Sequence, residues 1–493
     1  MVQTLAVDAA YAAILSLEYP LALEWLEKAR CNVLHQSLML RSPLGLLKDS
    51  HSSLAIRLQT VADELHHVSS DSRESRVVPS SLVTPEKAGQ RHRQLANEYN
   101  RLLIQIRVLR GFEDFLRPMR ADGLMHASRN GPVVVINCHE EQCDALIVLP
   151  GHRTATHLPL PGFSRNTALH ARSKIESSLR RLGLRERGVH TRREPGSKDH
   201  FASALKSIWD GIVNPVLDYL GYTANSPSGD LPHITWCPTG SVSFLPLHAA
   251  GDYNQSGVRS RIFEYVTSSY TPTLTALLTT TPSRLSRDSG VLAIGQAATP
   301  GHKPLPGTIT ELGYVKSHVE SKTQYSQLTD IQATPSVVLD AMEKHDWVHL
   351  ACHAHQNIKD PTKSGFFLHG ETEGTEATLD LAAINRRSFK RKGMAFLSAC
   401  QTATGDETLP DEAVHLASGM LMAGYSSVIA TMWSVVDADA PFVADKVYSQ
   451  LMKEGKLGNG EAGKALHSAV SGLRERVGEK EFGRWVPYIH IGS

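Results

Sequence analysis

Two short apolar runs in the C-terminal half of the chain each lead into a residue that could take part in nucleophilic chemistry. Met394 to Leu397 leads into Cys400, and Val348 to Leu350 leads into His353. Such runs, bounded by polar residues, are typical of strands buried in a parallel sheet. Catalytic groups gather at the carboxyl ends of parallel strands, so we predict that this thiol and this imidazole meet there. The thiol could attack a carbonyl while the imidazole holds or removes its proton.

Zinc binding is the alternative use of these residue types. Cys352, His353, His355 and Cys400 are all common zinc ligands. Neither segment contains a C-x-x-C pair, so the sequence favours the nucleophile and base over a metal site, and we predict neither a metal nor a cofactor. Cys352 lies inside the apolar run, and we interpret it as a small buried residue rather than a second nucleophile.

The elements that would position this pair change in type along the chain. Residues 1–125 show apolar residues at helical spacing, interrupted by a Ser-rich stretch at 69–89 that we predict to be a mobile loop. From residue 131 the period changes, and from Leu231 strands and helices alternate to the C-terminus. This alternation predicts an α/β domain over residues 131–493, with a mostly parallel sheet flanked by helices.

Several segments carry a resemblance to a known family. The His lies before the Cys at close to the roughly 50-residue lead of caspase-type peptidases. The segments HLACHA, LSACQTATG, DEAVHLASGMLMAGYSSVIATMW and WVPYIHIG resemble the CHAT domain peptidases, which are caspase-like, related to separase and often joined to tetratricopeptide repeats. The segment EYPLALEWLEKARCNVLHQSLMLRSPLGLL resembles the last repeat-like helices that precede CHAT domains in fungal members.

The resemblance implies a fold and roles for individual residues. It implies a caspase-like sheet, with residues 131–290 as a pseudo-protease-like half and 291–493 as the active half, and a tetratricopeptide-repeat-like remnant within 1–125. Cys400 matches the family nucleophile and His353 the catalytic His. The oxyanion hole would use the backbone N–H groups of Cys400 and Ala354, where the family usually has Gly.

Acidic residues in two loops are candidates for the substrate pocket. Asp406 and Glu412 follow the nucleophile, and Asp437 follows the apolar run that ends near Trp433. Carboxylates at the cleft would favour a basic residue before the scissile bond, as in separase-like relatives. Helix capping is the alternative explanation for Asp437, because it directly precedes a predicted helix.

Composition excludes several kinds of partner. The net charge of +1 gives no general attraction to nucleic acid or anionic membranes. The Arg-rich stretch RRLGLRERGVHTRREPGSK has no aromatic residues that could stack on bases. No run of about 18 apolar residues occurs, and six scattered cysteines do not form a disulfide scaffold. We therefore predict a cytoplasmic protein that binds neither nucleic acid nor membranes.

Two functions follow from these observations. The first is a cysteine endopeptidase that hydrolyses protein or peptide substrates through Cys400 and His353, in a defence or cell-death setting, with the N-terminal helical region docking a protein partner. The alternative is a catalytically silent caspase-like scaffold that binds partners. A scaffold has no need of a thiol facing an imidazole, so the sequence favours the enzyme.

Overall fold

The computed structural model divides the chain into two compact units. Residues 1–34 and 119–493 belong to the larger unit, and residues 35–118 belong to the smaller one. The structure describes residues 5–30, 47–48, 50–74, 85–113, 115–117, 119–182, 200–224, 230–255, 259–279, 289–357, 361–372, 374–387, 389, 392–399, 416–453 and 461–492.

Among its described residues, the smaller unit contains the two long helices α3 (Ser52–Glu74) and α4 (Pro85–Arg107). Their apolar residues recur at steps of three and four, so each helix has one apolar face. The two faces bury a common core of Leu58, Val61, Leu95 and Ile106, among others.

Both ends of the predicted Ser-rich loop at 69–89 are helical instead. Residues 69–74 extend α3 and residues 85–89 begin α4, while residues 75–84 lie outside the described part of the chain. Once a helix has started, each added residue gains a backbone hydrogen bond without needing apolar burial, so a polar composition does not end α3 at residue 69.

The larger unit contains the strands and the remaining helices. The strands are β1 (Val133–Cys138), β2 (Cys143–Val148), β3 (Thr156–Leu160), β4 (His233–Pro238), β5 (Thr267–Tyr270), β6 (Gly290–Gly295), β7 (Gln324–Thr329), β8 (Trp347–Ala351), β9 (His353–His355), β10 (Gly365–His369), β11 (Glu376–Asp380), β12 (Lys392–Ser398), β13 (Tyr425–Thr431) and β14 (Tyr488–Gly492). The helices are α1 (Leu5–Leu15), α2 (Tyr19–Ala29), α5 (Ala121–Leu124), α6 (Arg165–Arg181), α7 (Phe201–Ile208), α8 (Asn214–Tyr219), α9 (Leu274–Thr279), α10 (Gly307–Val319), α11 (Pro335–Lys344), α12 (Leu381–Arg386), α13 (Leu416–Ala423), α14 (Ala440–Leu451), α15 (Ala462–Val477) and α16 (Phe482–Trp485).

Within the described residues, eleven strands form one sheet in the order β3-β2-β1-β4-β5-β14-β13-β12-β8-β6-β7. Pairing is parallel except at β3-β2, β2-β1 and β14-β13. Most of its strands are buried along their whole length, which suits near-continuous apolar runs such as β6 and β12. The predicted α/β fold, with a mostly parallel sheet flanked by helices and a helical N-terminal region, is confirmed.

The antiparallel pairing of β13 with β14 divides the sheet into two blocks. In the first block β1, β4, β5 and β14 run parallel, and in the second β13, β12, β8, β6 and β7 run parallel in the opposite direction. The carboxyl ends of the two blocks therefore lie at opposite edges of the sheet. The last strand of the chain joins the first block, so the sequence boundary near residue 290 separates the two blocks for every strand except β14.

Helices α1 and α2 belong to the core of the larger unit. Ile14, Leu23 and Leu26 are buried against apolar residues of β1 and β2, including Val135 and Leu146. Buried polar groups reinforce this packing. The carboxylate of Glu27 accepts hydrogen bonds from the backbone N–H groups of Leu274 and Thr275 at 2.9 and 2.8 Å, and the Arg30 guanidinium donates to the carbonyl oxygen of Pro238. The helices of the predicted 1–125 region are thus divided between the two units.

None of the described helices is long and apolar enough to cross a membrane.

Candidate active site

His353 lies where the sequence predicted it, just beyond the carboxyl end of a buried parallel strand. Strand β8 ends at Ala351, and His353 begins β9, the first strand of a small three-stranded sheet in the order β11-β10-β9. The His353 side chain is half-buried. Its Nε2 lies 2.8 Å from the carbonyl oxygen of Lys303. A carbonyl can only accept, so Nε2 carries the proton and Nδ1 is the basic nitrogen of the neutral ring.

The strand that leads to Cys400 is the direct neighbour of β8. The register pairs Leu397 with Leu350 and Ser398 with Ala351 in parallel. The carbonyl oxygen of Ala399 accepts a hydrogen bond of 2.7 Å from the buried hydroxyl of Thr431 at the end of β13. Cys400 itself lies outside the described residues, as do the predicted pocket residues Asp406 and Glu412.

Ala354, the second predicted oxyanion-hole residue, lies in extended backbone. It is the middle residue of β9 and pairs with Phe366 of β10. Ala354 is not among the described residues that have a positive φ angle. Alanine therefore occupies this position without the strain that positive φ would impose on it.

Asp437 caps a helix, but not the one that follows it. Its Oδ2 accepts a 2.7 Å hydrogen bond from the backbone N–H of Gly307, the first residue of α10. A Cβ on Gly307 would lie 2.5 Å from the Asp437 carbonyl oxygen, so only glycine allows this approach. The carboxylate compensates a helix N-terminus, where backbone N–H groups lack partners. Asp437 therefore joins the loops after β6 and β13, which both leave the sheet at the edge where β8 ends.

Cys352 is fully buried and reduced, which confirms its interpretation as a small core residue.

Gln296 is a residue of this edge that the sequence analysis missed. It is fully buried directly after β6. Its backbone N–H donates to Ala351 at 2.9 Å, and its Nε2 lies 3.2 Å from the carbonyl oxygen of Asp330. Its Oε1 lies 2.6 Å from Nδ1 of His369 at the end of β10. Gln296 thus ties the ends of β6 and β8 to the small sheet that carries His353. The sequence signal that could have revealed Gln296 is a polar residue directly after a fully apolar strand.

His302 and Glu376 are further residues of this site that the sequence did not indicate. The His302 ring lies on the His353 ring, with 4.9 Å between the centroids and 28° between the planes. The carboxylate of Glu376, on β11, lies 2.6 Å from Nε2 of His302. Neither residue belongs to a sequence motif, because the loop after β6 and strand β11 meet only in the folded chain.

His355 lies on the same face as this group. Its ring stacks on Phe367. Burial lowers the pKa of its imidazole, a shift that a hydrogen bond to the backbone of Lys363 and the charges of Glu376 and Asp380 partly offset.

Comparison with known proteins gives the family. The CHAT domain family model matches residues 202–493, and the chain belongs to this family. No curated protein matches the chain. The match begins at α7 and so includes most of the first block of the sheet together with the whole second block.

Solved structures resemble the chain at low identity. The complex of the pro- and mature domains of RgpB from Porphyromonas gingivalis is 12% identical, with a TM-score of 0.41, over 66% of this chain and 76% of that one. The Arg-specific cysteine proteinase gingipain R is 12% identical, with a TM-score of 0.39, over 66% of this chain and 75% of that one. The separase–securin complex from Saccharomyces cerevisiae is 11% identical, with a TM-score of 0.44, over 97% of this chain and 38% of that one.

Proposed function

We propose that the protein is a cysteine endopeptidase in which Cys400 is the nucleophile and His353 the general base and acid. The observation that carries the proposal is the register of β8 and β12. Ala351 and Ser398 are direct neighbours in parallel strands, and His353 and Cys400 each follow their paired residue by two positions. Adjacent parallel strands lie about 5 Å apart, so two segments that leave them at paired residues begin at about that distance. This spacing suits a thiol and an imidazole that exchange a proton.

The tautomer of His353 supports this division of roles. With Nε2–H directed at Lys303, Nδ1 takes the thiol proton. The resulting thiolate attacks the scissile carbonyl, and the protonated Nδ1 then delivers its proton to the leaving amine. A water molecule, deprotonated by Nδ1, releases the acyl group from sulfur and restores the thiol.

The oxyanion of the tetrahedral intermediate would be held by the backbone N–H groups of Ala354 and Cys400. The extended conformation of Ala354 supports this role, because alanine keeps the N–H without strain. The hydrogen bond from Thr431 to Ala399 fixes the carbonyl of the peptide group whose N–H belongs to Cys400. Since a peptide group is planar, that bond also limits the rotation of the N–H donor.

A preference for a basic residue before the scissile bond is the second part of the proposal. Asp437 supports it, because its half-buried carboxylate belongs to a loop at the edge of the second block. Asp406 and Glu412 are proposed to add to this acidic pocket. A carboxylate of this kind binds a guanidinium or ammonium group by charge-assisted hydrogen bonds.

The setting of the enzyme is also proposed. A cytoplasmic location would keep the thiol reduced, and the role would be in defence or cell-death signalling. The helical region over residues 1–125, which resembles a tetratricopeptide-repeat remnant, is proposed to dock a protein partner.

The test is covalent labelling with peptide acyloxymethyl ketones that carry Arg, Lys, Leu or Asp before the reactive group. Labelling of the wild type that is lost in both Cys400→Ala and His353→Ala supports the dyad, and preference for Arg or Lys supports the acidic pocket. No labelling of folded wild type by any probe contradicts the peptidase and favours the scaffold.

A further inference from the structure

The imidazole of His353 lies at one end of a row of aromatic ring contacts. His302 lies on its face at 4.9 Å between centroids, and His302 in turn lies 4.3 Å from the Phe367 ring. Phe367 also stacks on His355 at 4.8 Å. Because Phe367 pairs directly with His353 across β9 and β10, the loop that carries His302 covers one face of the small sheet.

His302 is itself held in place from a third strand. The carboxylate of Glu376 on β11 lies 2.6 Å from its Nε2, and Glu376 pairs with His369 across β10 and β11. Lys303, the next residue, provides the carbonyl that accepts the Nε2–H of His353. One dipeptide thus contacts the His353 ring twice, once on its face and once at its edge.

These two contacts restrict different motions of the His353 ring. The hydrogen bond to Lys303 fixes which nitrogen carries the proton, but this bond does not itself prevent the ring from tilting about it. Stacking on His302 opposes that tilt, because the two rings lie nearly face to face. A base that moves by about 1 Å from its productive position can lose up to about a hundredfold in rate.

We propose that His302, anchored by Glu376, is a positioning residue that holds the His353 imidazole with Nδ1 toward the thiol. The inference rests on the proposed peptidase function. His302 exchanges no proton with substrate; it acts only through the orientation of His353.

The test compares His302→Ala, which removes both the ring and the carboxylate contact, with His302→Phe, which keeps a ring for stacking. Glu376→Gln is the third variant, and it keeps a hydrogen-bonding group in place of the anchoring carboxylate. His318→Ala is the matched control, because His318 forms a pair with Asp445 at 2.8 Å and is exposed to a similar degree, 27% against 23% for His302. The readouts are kcat and KM for a peptide substrate, and the pH profile of Cys400 alkylation by iodoacetamide, located by mass spectrometry, with His353→Ala as reference.

We expect His302→Ala to lower kcat about tenfold with KM within about twofold, since the lost positioning acts on the chemical step. It should also move the alkylation profile of Cys400 part of the way toward that of His353→Ala. His302→Phe should restore most of kcat, Glu376→Gln should lie between the wild type and His302→Ala because it keeps the ring and a hydrogen-bonding anchor, and His318→Ala should match the wild type.

Two results overturn the proposal in distinguishable ways. If His353→Ala changes the alkylation profile but His302→Ala, His302→Phe and Glu376→Gln all behave like His318→Ala, then His302 does not position the base and the dyad stands. If His353→Ala leaves the Cys400 profile unchanged, there is no dyad to position, and both proposals fail.

Discussion

The two blocks of the sheet carry similar residues at the carboxyl ends of their strands, but the surroundings of these residues differ. In the first block, Cys237 lies near the end of β4 and His139 directly follows β1. Arg30 of α2 contacts the Cys237 sulfur at 2.8 Å, and Tyr11 of α1 stacks on His139 at 3.9 Å. Burial raises the pKa of the Cys237 thiol, an effect that Arg30 only partly offsets.

In the second block, loops rather than helices lie at the carboxyl ends of the strands. His353 there is half-buried and contacts a backbone carbonyl and a second imidazole. A cysteine and a histidine at strand ends are therefore not a site by themselves. The first block buries its Cys237 thiol and stacks its half-buried His139 against Tyr11 of α1, whereas the half-buried His353 of the second block stacks on another imidazole.

The largest effect expected from this comparison is on pH-dependent stability. His233, His248, His467 and His490 lie on or against the first block, and burial lowers their pKa values to about 4, 4, 4 and 3. His233 and His490 are joined through the Ser269 hydroxyl, and His490 reaches Ser427 of the second block. These chains of hydrogen bonds hold neutral imidazole rings where the two blocks meet.

Above pH 6.5 these imidazoles are neutral in both folded and unfolded protein, so they do not change stability there. As the pH falls from about 6.5 to 4, the unfolded chain takes up protons that the folded chain does not, and the free energy of unfolding falls. At pH 5.5 we expect a loss of slightly more than about 1 kcal/mol per histidine, or about 5 kcal/mol if the four act independently.

Urea unfolding at pH 7.5 and 5.5 measures this loss, and His490→Gln should reduce it by about 1 kcal/mol. Equal unfolding free energies at the two pH values in the wild type would contradict the assignment of neutral buried rings.

The next effect concerns the helices that close the first block. Glu27→Ala should lower the free energy of unfolding by about 3 kcal/mol, because two backbone N–H groups at the start of α9 lose their buried acceptor. Glu18→Ala is the control, since Glu18 is exposed and makes no side-chain cap to α2. Chemical denaturation of both variants gives the comparison, and equal stability would show that α2 is not an integral part of this block.

A smaller effect is expected at the end of β13. Thr431→Val keeps the shape of the side chain but removes the hydroxyl that binds the Ala399 carbonyl. It should cost about 1–2 kcal/mol of stability and lower peptide hydrolysis about tenfold by loosening the nucleophile segment. Thr431→Ser should retain both properties. Hydrolysis by Thr431→Val at the wild-type rate would show that this hydrogen bond does not support catalysis.

The smallest effect separates the two roles of Asp437. Asp437→Asn keeps an oxygen that can accept from Gly307, so stability should change by only about 0.5 kcal/mol. If the carboxylate also lines the pocket, the preference for Arg over Leu before the scissile bond should fall about tenfold. An unchanged preference, measured as a ratio of kcat/KM values, would leave Asp437 as a cap alone.

Sequence patterns predicted the elements better than their assembly. Buried strands such as β8 and β12 can be predicted from their apolar composition. The position of His353 just beyond β8 then follows from its place in the sequence. The insertion of β14 between β5 and β13 does not follow, because the pairing of residues such as Ile491 and Tyr270 is decided by tertiary packing. The opposite direction of the strands in the two blocks was not predicted, for the same reason.

The site shows the same limit. His302, Glu376 and Gln296 have ordinary residue types in loops and at strand ends, and only folding brings them to His353. The sequence suggested that Asp437 caps the helix that follows it, whereas its carboxylate accepts from the N-terminus of α10, because that contact joins residues far apart in sequence. Cys400, Asp406 and Glu412 stay predictions from sequence.

The most direct test of the account is the alkylation rate of each cysteine in one sample of native protein. Brief treatment with iodoacetamide at pH 6.5, followed by peptide mass spectrometry, compares Cys400 with the buried Cys138, Cys143, Cys237 and Cys352. We predict rapid modification of Cys400 that slows in His353→Ala, while the other four react only after unfolding. Modification of Cys400 no faster than that of Cys237, and unchanged by His353→Ala, would contradict the claim that the second block holds a reactive pair.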